Sequence, residues 1–187
     1  MKAGQVYREA TLKNGKKVLL RSLKWDDIDN ILRFINELVE ERNADPDFGL
    51  IHNRQLTREQ EVEWVAKRLV DIENGNVVDI VAEYNGMIMG HADVTHGSLS
   101  DIEHRGLFGL SVAKEWRDIG VGAELINETI KQCKKVGMTV IELEVLKVNK
   151  RAIHLYTKMG FREIGSVPKG VYRNGRYYDE LIMAVEL

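Results

Sequence analysis

Cysteine is almost absent from this 187-residue sequence, with Cys133 the only one. No intrachain disulfide can form, so a disulfide-stapled secreted scaffold is excluded. Cys133 falls at an apolar helix position, where a small buried hydrophobe is expected. Proline is scarce too: Pro46 and Pro168 stand against 16 glycines, which excludes a collagenous or proline-rich chain. Neither sign of charge is in excess. The 27 basic and 29 acidic side chains leave a net charge of −2, which argues against nucleic acid or an anionic membrane as the main partner. No run of about 18 apolar residues occurs, and no charged segment followed by an apolar stretch opens the chain. Neither membrane insertion nor secretion is therefore expected, and the expected location is cytoplasmic. What is present is apolar material for a core, at 44% of residues. A single domain over residues 1–187 is the expectation.

After a polar start, Lys17 to Leu23 reads as a strand, and Asp26 is placed to cap the helix that follows. Ile28, Ile31, Leu32, Ile35, Leu38 and Val39 recur on one face of a 3.6-residue period, which specifies that helix. Residues 43–53, with Asp45-Pro46-Asp47 inside them, break the pattern and read as a loop. Thr57-x-x-Gln60 is a capping box, and Val62, Val65, Leu69 and Ile72 mark a second helix ending near Asn74-Gly75. Two β-rich runs, Val77 to Tyr84 and Met87 to Thr95, flank Asn85-Gly86, a strong signal for a two-residue hairpin turn. Leu107 to Ala113 is a third such run. A helical period then holds from Gly120 to about Val136, Thr139 to Leu146 is strand-like, and Lys150 to Met159 is helical before Gly160. Phe161 to Tyr172 and Arg176 to Glu186 flank Asn174-Gly175 as a closing hairpin. The order β-α-α-β-β-β-α-β-α-β-β describes a mixed α/β domain. Its β-α-β unit from Leu107 to Leu146 demands a crossover and one parallel strand pair, while the hairpins impose antiparallel pairs on either side.

Chemistry concentrates after the third of these runs. Arg117, Gly120 and Gly122 form Arg-x-x-Gly-x-Gly at a helix start, where glycines let backbone N–H groups approach an anion at the positive end of the helix dipole. Either glycine could instead serve a tight turn or a close helix crossing. The stretch is neither a P-loop nor a dinucleotide fingerprint, because the terminal Gly-Lys-Ser/Thr of the one and the first glycine of the other are missing. Further on, Asn149, Ala152, Leu155, Tyr156, Gly160 and Phe161 complete Asn-x-x-Ala-x-x-Leu-Tyr-x-x-x-Gly-Phe.

Taken together the two stretches resemble the GNAT family of N-acetyltransferases. The likeness is strongest over about residues 107–162, with 163–187 as a terminal hairpin, and the element order extends it across most of the chain. It implies that family's acyl-CoA N-acyltransferase fold: a central, mostly antiparallel twisted sheet, one parallel strand pair splayed at the CoA site, and helices on both faces. It implies acetyl-CoA as cosubstrate and an amine as acceptor, with no metal. Leu110, Ser111 and Val112 would pair through their backbone with the pantetheine arm. Arg117, Asp118, Ile119, Gly120, Val121 and Gly122 would wrap the pyrophosphate, and Asn149 with Ala152 would hold the pantetheine. Tyr156 would protonate the departing thiolate, a task that suits a phenol because it keeps its proton at neutral pH. Two departures stand out. Asp118 and Ile119 occupy places where relatives often have glycine and a basic residue, so Lys114, Lys150 or Arg151 would have to compensate. Leu107 stands where some relatives have a glutamate, which leaves the general base open.

Glu103 and Glu144 stand equally as that base, ahead of His91, Asp93 and His104. An ordinary strand-surface role is the competing reading for each. His91, His96 and His104 match no metal-ligand spacing. Tyr172, Tyr177 and Tyr178 with Asp179 and Glu180 read either as a cation site or as good strand formers. The alternative to an enzyme is a non-catalytic acyl-CoA-binding regulatory module. Exposed terminal strands make a homodimer a further expectation.

Overall fold

The computed structural model describes residues 1–49 and 53–187. The expected loop over 43–53 therefore lies partly outside the described residues. Among the described residues eight strands form one sheet in the order β1-β2-β3-β4-β5-β6-β8-β7. They are β1 (Val6–Thr11), β2 (Lys17–Arg21), β3 (Val77–Tyr84), β4 (Met87–His96), β5 (Arg105–Val112), β6 (Val140–Leu146), β7 (Arg162–Arg173) and β8 (Arg176–Glu186). Four α-helices among the described residues interrupt them: α1 (Ile28–Ala44), α2 (Arg58–Asn74), α3 (Val121–Lys135) and α4 (Lys150–Lys158). β5 and β6 are parallel, and the other adjacent strands pair antiparallel.

Local chemistry accounts for the boundaries. Asn85-Gly86 and Asn174-Gly175 all have positive φ, as a type I′ hairpin turn requires. Thr57 and Gln60 make the reciprocal capping box of α2, and Gly75 in the left-handed region ends it. Two expectations need correction. The polar start contains strand β1, an edge strand with only Ala10 buried, whose alternation is too weakly apolar to stand out. Asp26 does not cap α1. Asp27 holds the N-cap position, and its buried carboxylate receives Arg21 Nη1 and Nη2 at 2.6 and 2.7 Å instead of capping the helix.

Alternation along β4 puts helices on both faces of the sheet. A Cβ on Gly90 would press on Leu125 and Val121 of α3, whereas the next residue, His91, meets the edge of Trp64 in α2. The core lies between sheet and helices, around Leu20, Phe34, Ile80, Ile88, Leu125, Ile126, Ile141 and Phe161. Burying each such side chain is worth roughly 1.5–3 kcal/mol, and this packing fixes where the strands stop. β4 follows β5 from His96↔Gly106 to Gly90↔Val112. β6 follows it only from Arg105↔Val140 to Leu107↔Glu142, so a gap opens between the C-terminal halves of β5 and β6.

Candidate active site

That gap is a cavity of about 660 Å³, walled by β5 from Leu107 to Val112, by Glu144 and Val145 of β6, by the start of α3 and by α4. Its size suits a ligand larger than an amino acid. Backbone direction decides what β5 offers it. Arg105 accepts from Gly97 N–H, and Ala113 donates to Met89 carbonyl at 2.9 Å, both on the β4 side. Because main-chain groups alternate sides along a strand, Gly109 and Ser111 also point toward β4, while Leu110 and Val112 point into the gap. Leu110, with its N–H and carbonyl, and Val112, with its N–H, thus carry the main-chain groups open to a ligand, since Arg117 Nε takes the Val112 carbonyl. Ser111 is among the lining residues but gives its backbone to the ladder with His91.

The turn into α3 makes an anion cradle. Asp118 (φ 63°) and Gly120 (φ 111°) take left-handed conformations, and Gly120 carbonyl accepts the first helical bond, from Glu124 N–H at 3.0 Å. The N–H groups of Val121, Gly122 and Ala123 have no helical partner and lie at the positive end of the dipole. A Cβ on Gly122 would sit 2.9 Å from Leu155 Cδ2, so a larger residue there would have to displace the Leu155 side chain. Side chains at the other expected positions act elsewhere. Val121 is buried in the core and Ile119 packs against it. The Arg117 guanidinium is bidentate on Glu41, donates from Nε to Val112 carbonyl at 2.9 Å, and stacks over Phe48 at 4.7 Å. Asp118 pairs with Arg151 at 3.1 Å.

Tyr156 enters the cavity from α4 and is 7% exposed. Phe108 and Phe161 hold its ring, with centroids 6.2 and 5.8 Å away, and burial pushes its phenol up to about 12. Asn149 caps α4 through Oδ1, which accepts from Ala152 N–H at 3.1 Å. Its Nδ2 stays directed at Gly49, whose Cβ, if it had one, would lie 2.9 Å away.

The two candidate bases separate. Glu144 is exposed on the cavity wall. Glu180 is held above the usual carboxylate range by burial and by the Glu144 charge. Glu103 lies in the turn ahead of β5, near His96. At about 3.3 Å per residue, at least about 15 Å of strand separates it from Leu110, so the structure does not bring it to the cavity. His104 shares that far end. His91 and Asp93 are tied into a buried cluster: His91 Nε2 lies 2.9 Å from Asp79 Oδ2, and Arg68 reaches Asp79 at 3.2 Å and Asp93 at 2.9 Å. Burial lowers the His91 pKa, but Asp79 outweighs it and the net direction is upward. Tyr172 and Tyr177 stack on each other, and Lys169 and Arg176 cover Tyr177 and Tyr178. Burial pushes the Cys133 thiol up to about 12, which removes it as a nucleophile. Among the described residues no group of three or more His, Cys, Asp and Glu side chains could hold a metal, and no helix is long and apolar enough to cross a membrane.

Sequence reasoning missed Lys13, Glu41 and Phe48. Lys13 had a usable signal, because Asn14-Gly15 beside it is itself a turn dipeptide between two strands. Glu41 and Arg117 are 76 positions apart, and no periodicity joins them.

Residues 35–161 match the family model for the acetyltransferase (GNAT) family. An L-amino acid N-acetyltransferase of Escherichia coli is 33% identical over 119 residues, 63% of this chain and 72% of that protein. An N-alpha-acetyltransferase of Sulfurisphaera tokodaii is 28% identical over 95% of this chain and 98% of its own length. The crystal structure of a GNAT-family acetyltransferase from Streptococcus pneumoniae superposes with a TM-score of 0.80 at 26% identity, over 91% of this chain and 99% of that one. With the family model covering residues 35–161, which include β3 to β6 and the parallel pair at which the sheet opens, the chain belongs to the acetyltransferase (GNAT) family and is an acetyltransferase.

Proposed function

We propose that this enzyme moves an acetyl group from acetyl-CoA to a primary amine by direct attack with both substrates bound. The observation that carries the reading is the gap itself, where free main-chain groups, an anion cradle and a buried phenol line one cavity. Acetyl-CoA would supply the activated acyl group. The chain supplies the rest. Leu110 and Val112 offer main-chain donors to hold the thioester carbonyl, and a preorganised donor of this kind is worth roughly 3 kcal/mol. The N–H groups of Val121, Gly122 and Ala123 receive the phosphates, and Asn149 Nδ2 donates to the pantetheine. Glu144 takes a proton from the acceptor ammonium, leaving a neutral nitrogen to bond the acyl carbon. As the carbon–sulfur bond breaks, Tyr156 gives its proton to the sulfur, and the extra proton on the acylated nitrogen passes through water to the phenolate, which leaves a neutral amide and restores the phenol. Its high pKa keeps that proton in place until a thiolate develops.

Glu144 with Glu180 on the acceptor side favours an ammonium-bearing acceptor: an amino acid, a polyamine, another small amine or a protein N-terminus. The names of the two relatives fit the first and last of these. A single domain acting in the cytoplasm belongs to the same reading. The test is thiol release from acetyl-CoA across an amine panel. The proposal expects acceptor-dependent thiol. CoA binding without any acceptor-dependent release would leave a binding module and sink the catalytic reading.

A further inference from the structure

The phosphate end of the cavity holds an imbalance of charge. Arg117 is the only basic residue from Arg117 to Gly122, and its guanidinium is committed. Both terminal nitrogens face Glu41, Nε is on Val112 carbonyl, and one face lies on Phe48. The side chains of this pair are only 12% and 17% exposed, so the two charges largely cancel before any ligand arrives. Asp118 then adds a negative charge that no side chain of this segment balances, with its own side chain 80% exposed. A polyanion meeting this segment gains from its backbone and helix dipole but finds no net positive side chain in it.

Lys13 and Arg151 reach Asp118 from other elements. Lys13, in the turn between β1 and β2, donates its backbone N–H to Ile119 carbonyl at 3.0 Å and its Nζ to Asp118 carbonyl at 3.1 Å. The turn is thereby fastened onto the loop, and the ammonium becomes part of the cavity wall. An ammonium has three donors, so two remain after the bond to Asp118. Arg151 approaches from α4, lines the same cavity, and rests on Asp118 with its own side chain 49% exposed. An exposed pair of this kind is worth about 0–1 kcal/mol, little enough for Arg151 to exchange Asp118 for a phosphate oxygen.

We propose that Lys13 and Arg151 are the side-chain ligands of the cosubstrate's phosphates, and that Arg117 is a positioning residue that holds the segment after α1 through Glu41 and Phe48. Phe48 and Gly49 line the cavity, with Gly49 against the Asn149 amide, so losing the clasp loosens that wall and not the phosphate ligands. This rests on the acetyl-CoA reading above.

The experiment measures CoA binding by calorimetry for the wild type, Lys13→Met, Arg151→Met and Arg117→Met, together with turnover on S-acetylpantetheine, which has no phosphate. Lys13→Met and Arg151→Met should each weaken CoA about tenfold or more, the scale of a lost charge-assisted hydrogen bond. Both should lower the salt dependence of binding and leave kcat/KM for S-acetylpantetheine unchanged, and Lys13→Arg should restore most of the affinity. Arg117→Met should keep CoA affinity within about twofold while the acceptor KM rises. Should that variant fail to fold, Glu41→Gln breaks the same clasp from the other side with the same expectation. The proposal is overturned if Lys13→Met and Arg151→Met bind CoA like the wild type, or if they damage the phosphate-free substrate equally. A wild type that binds no CoA at all would instead refute the acetyl-CoA reading.

Discussion

The two edges of β5 begin alike and end differently. Toward β4 the ladder runs from His96↔Gly106 to Gly90↔Val112 without a register shift. Toward β6 it stops at Leu107↔Glu142. The sealed edge is backed by Ala92, Val94 and the buried face of α3, where side-chain volume decides stability. The open edge leaves Leu110 and Val112 main-chain groups to be satisfied by something other than the sheet, an arrangement that water tolerates and a ligand can exploit. Damage at the first edge should therefore appear as lost stability, and damage at the second as lost binding or turnover.

Gly106→Val tests the sealed edge and carries the largest expected effect. A Cβ there would collide with Val94 and lie 3.1 Å from Thr95 carbonyl, so overpacking should cost about 3 kcal/mol and lower Tm by about 10 °C in calorimetry. Gly122→Val tests the open edge. Its Cβ would meet Leu155 at 2.9 Å, with Leu110 and Val112 side chains at 3.7 and 3.8 Å. CoA affinity should fall by about 100-fold or more in titration calorimetry, from roughly 2.7 kcal/mol of lost binding, with a smaller loss of Tm than for Gly106→Val.

Tyr156→Phe keeps the ring packing against Phe108 and Phe161 and removes only the proton. In steady-state assays kcat should fall about 100-fold while CoA affinity stays within about twofold. Burial raises the Tyr156 pKa, so the folded state favours the neutral phenol. Its contribution to stability is whole below the ordinary tyrosine value near 10 and is lost as pH climbs through about 12. No alkaline limb below about pH 10 should belong to it. Glu144→Gln should lower turnover about tenfold and yet raise Tm by about a degree. The reason is Glu180, whose carboxyl is held up by burial and by the Glu144 charge. Without the Glu144 charge, Glu180 is relieved of a like neighbour.

Much of this architecture was legible because it is local. Hairpin dipeptides, the Thr57 capping box and the 3.6-residue period of α1 each act within a few positions, and the structure places them where the sequence implies. The β5–α3–β6–α4 stretch was legible as a motif whose spacing carries its own geometry. Other features depend on partners far along the chain. Proximity of Glu103 to β5 in sequence does not reveal which end of the strand opens, and that is fixed by where β6 leaves it. Whether Ser111 or its neighbours face the gap depends on which of their groups β4 takes. The role of Arg117 turns on Glu41, supplied by a helix on the other side of the polypeptide's long β3–β4 hairpin. β1 escaped notice because an exposed edge strand needs little hydrophobicity, although Asn14-Gly15 marked its end.

Amide hydrogen exchange of β5, with and without CoA, tests the central claim most directly. Leu110 and Val112 N–H should exchange at least about tenfold more slowly when CoA is bound, while Ser111 N–H, already directed to β4, should change little. Protection that rises at Ser111 instead, or at none of the three while CoA binds, would contradict the assignment of the open edge of β5 as the cosubstrate site.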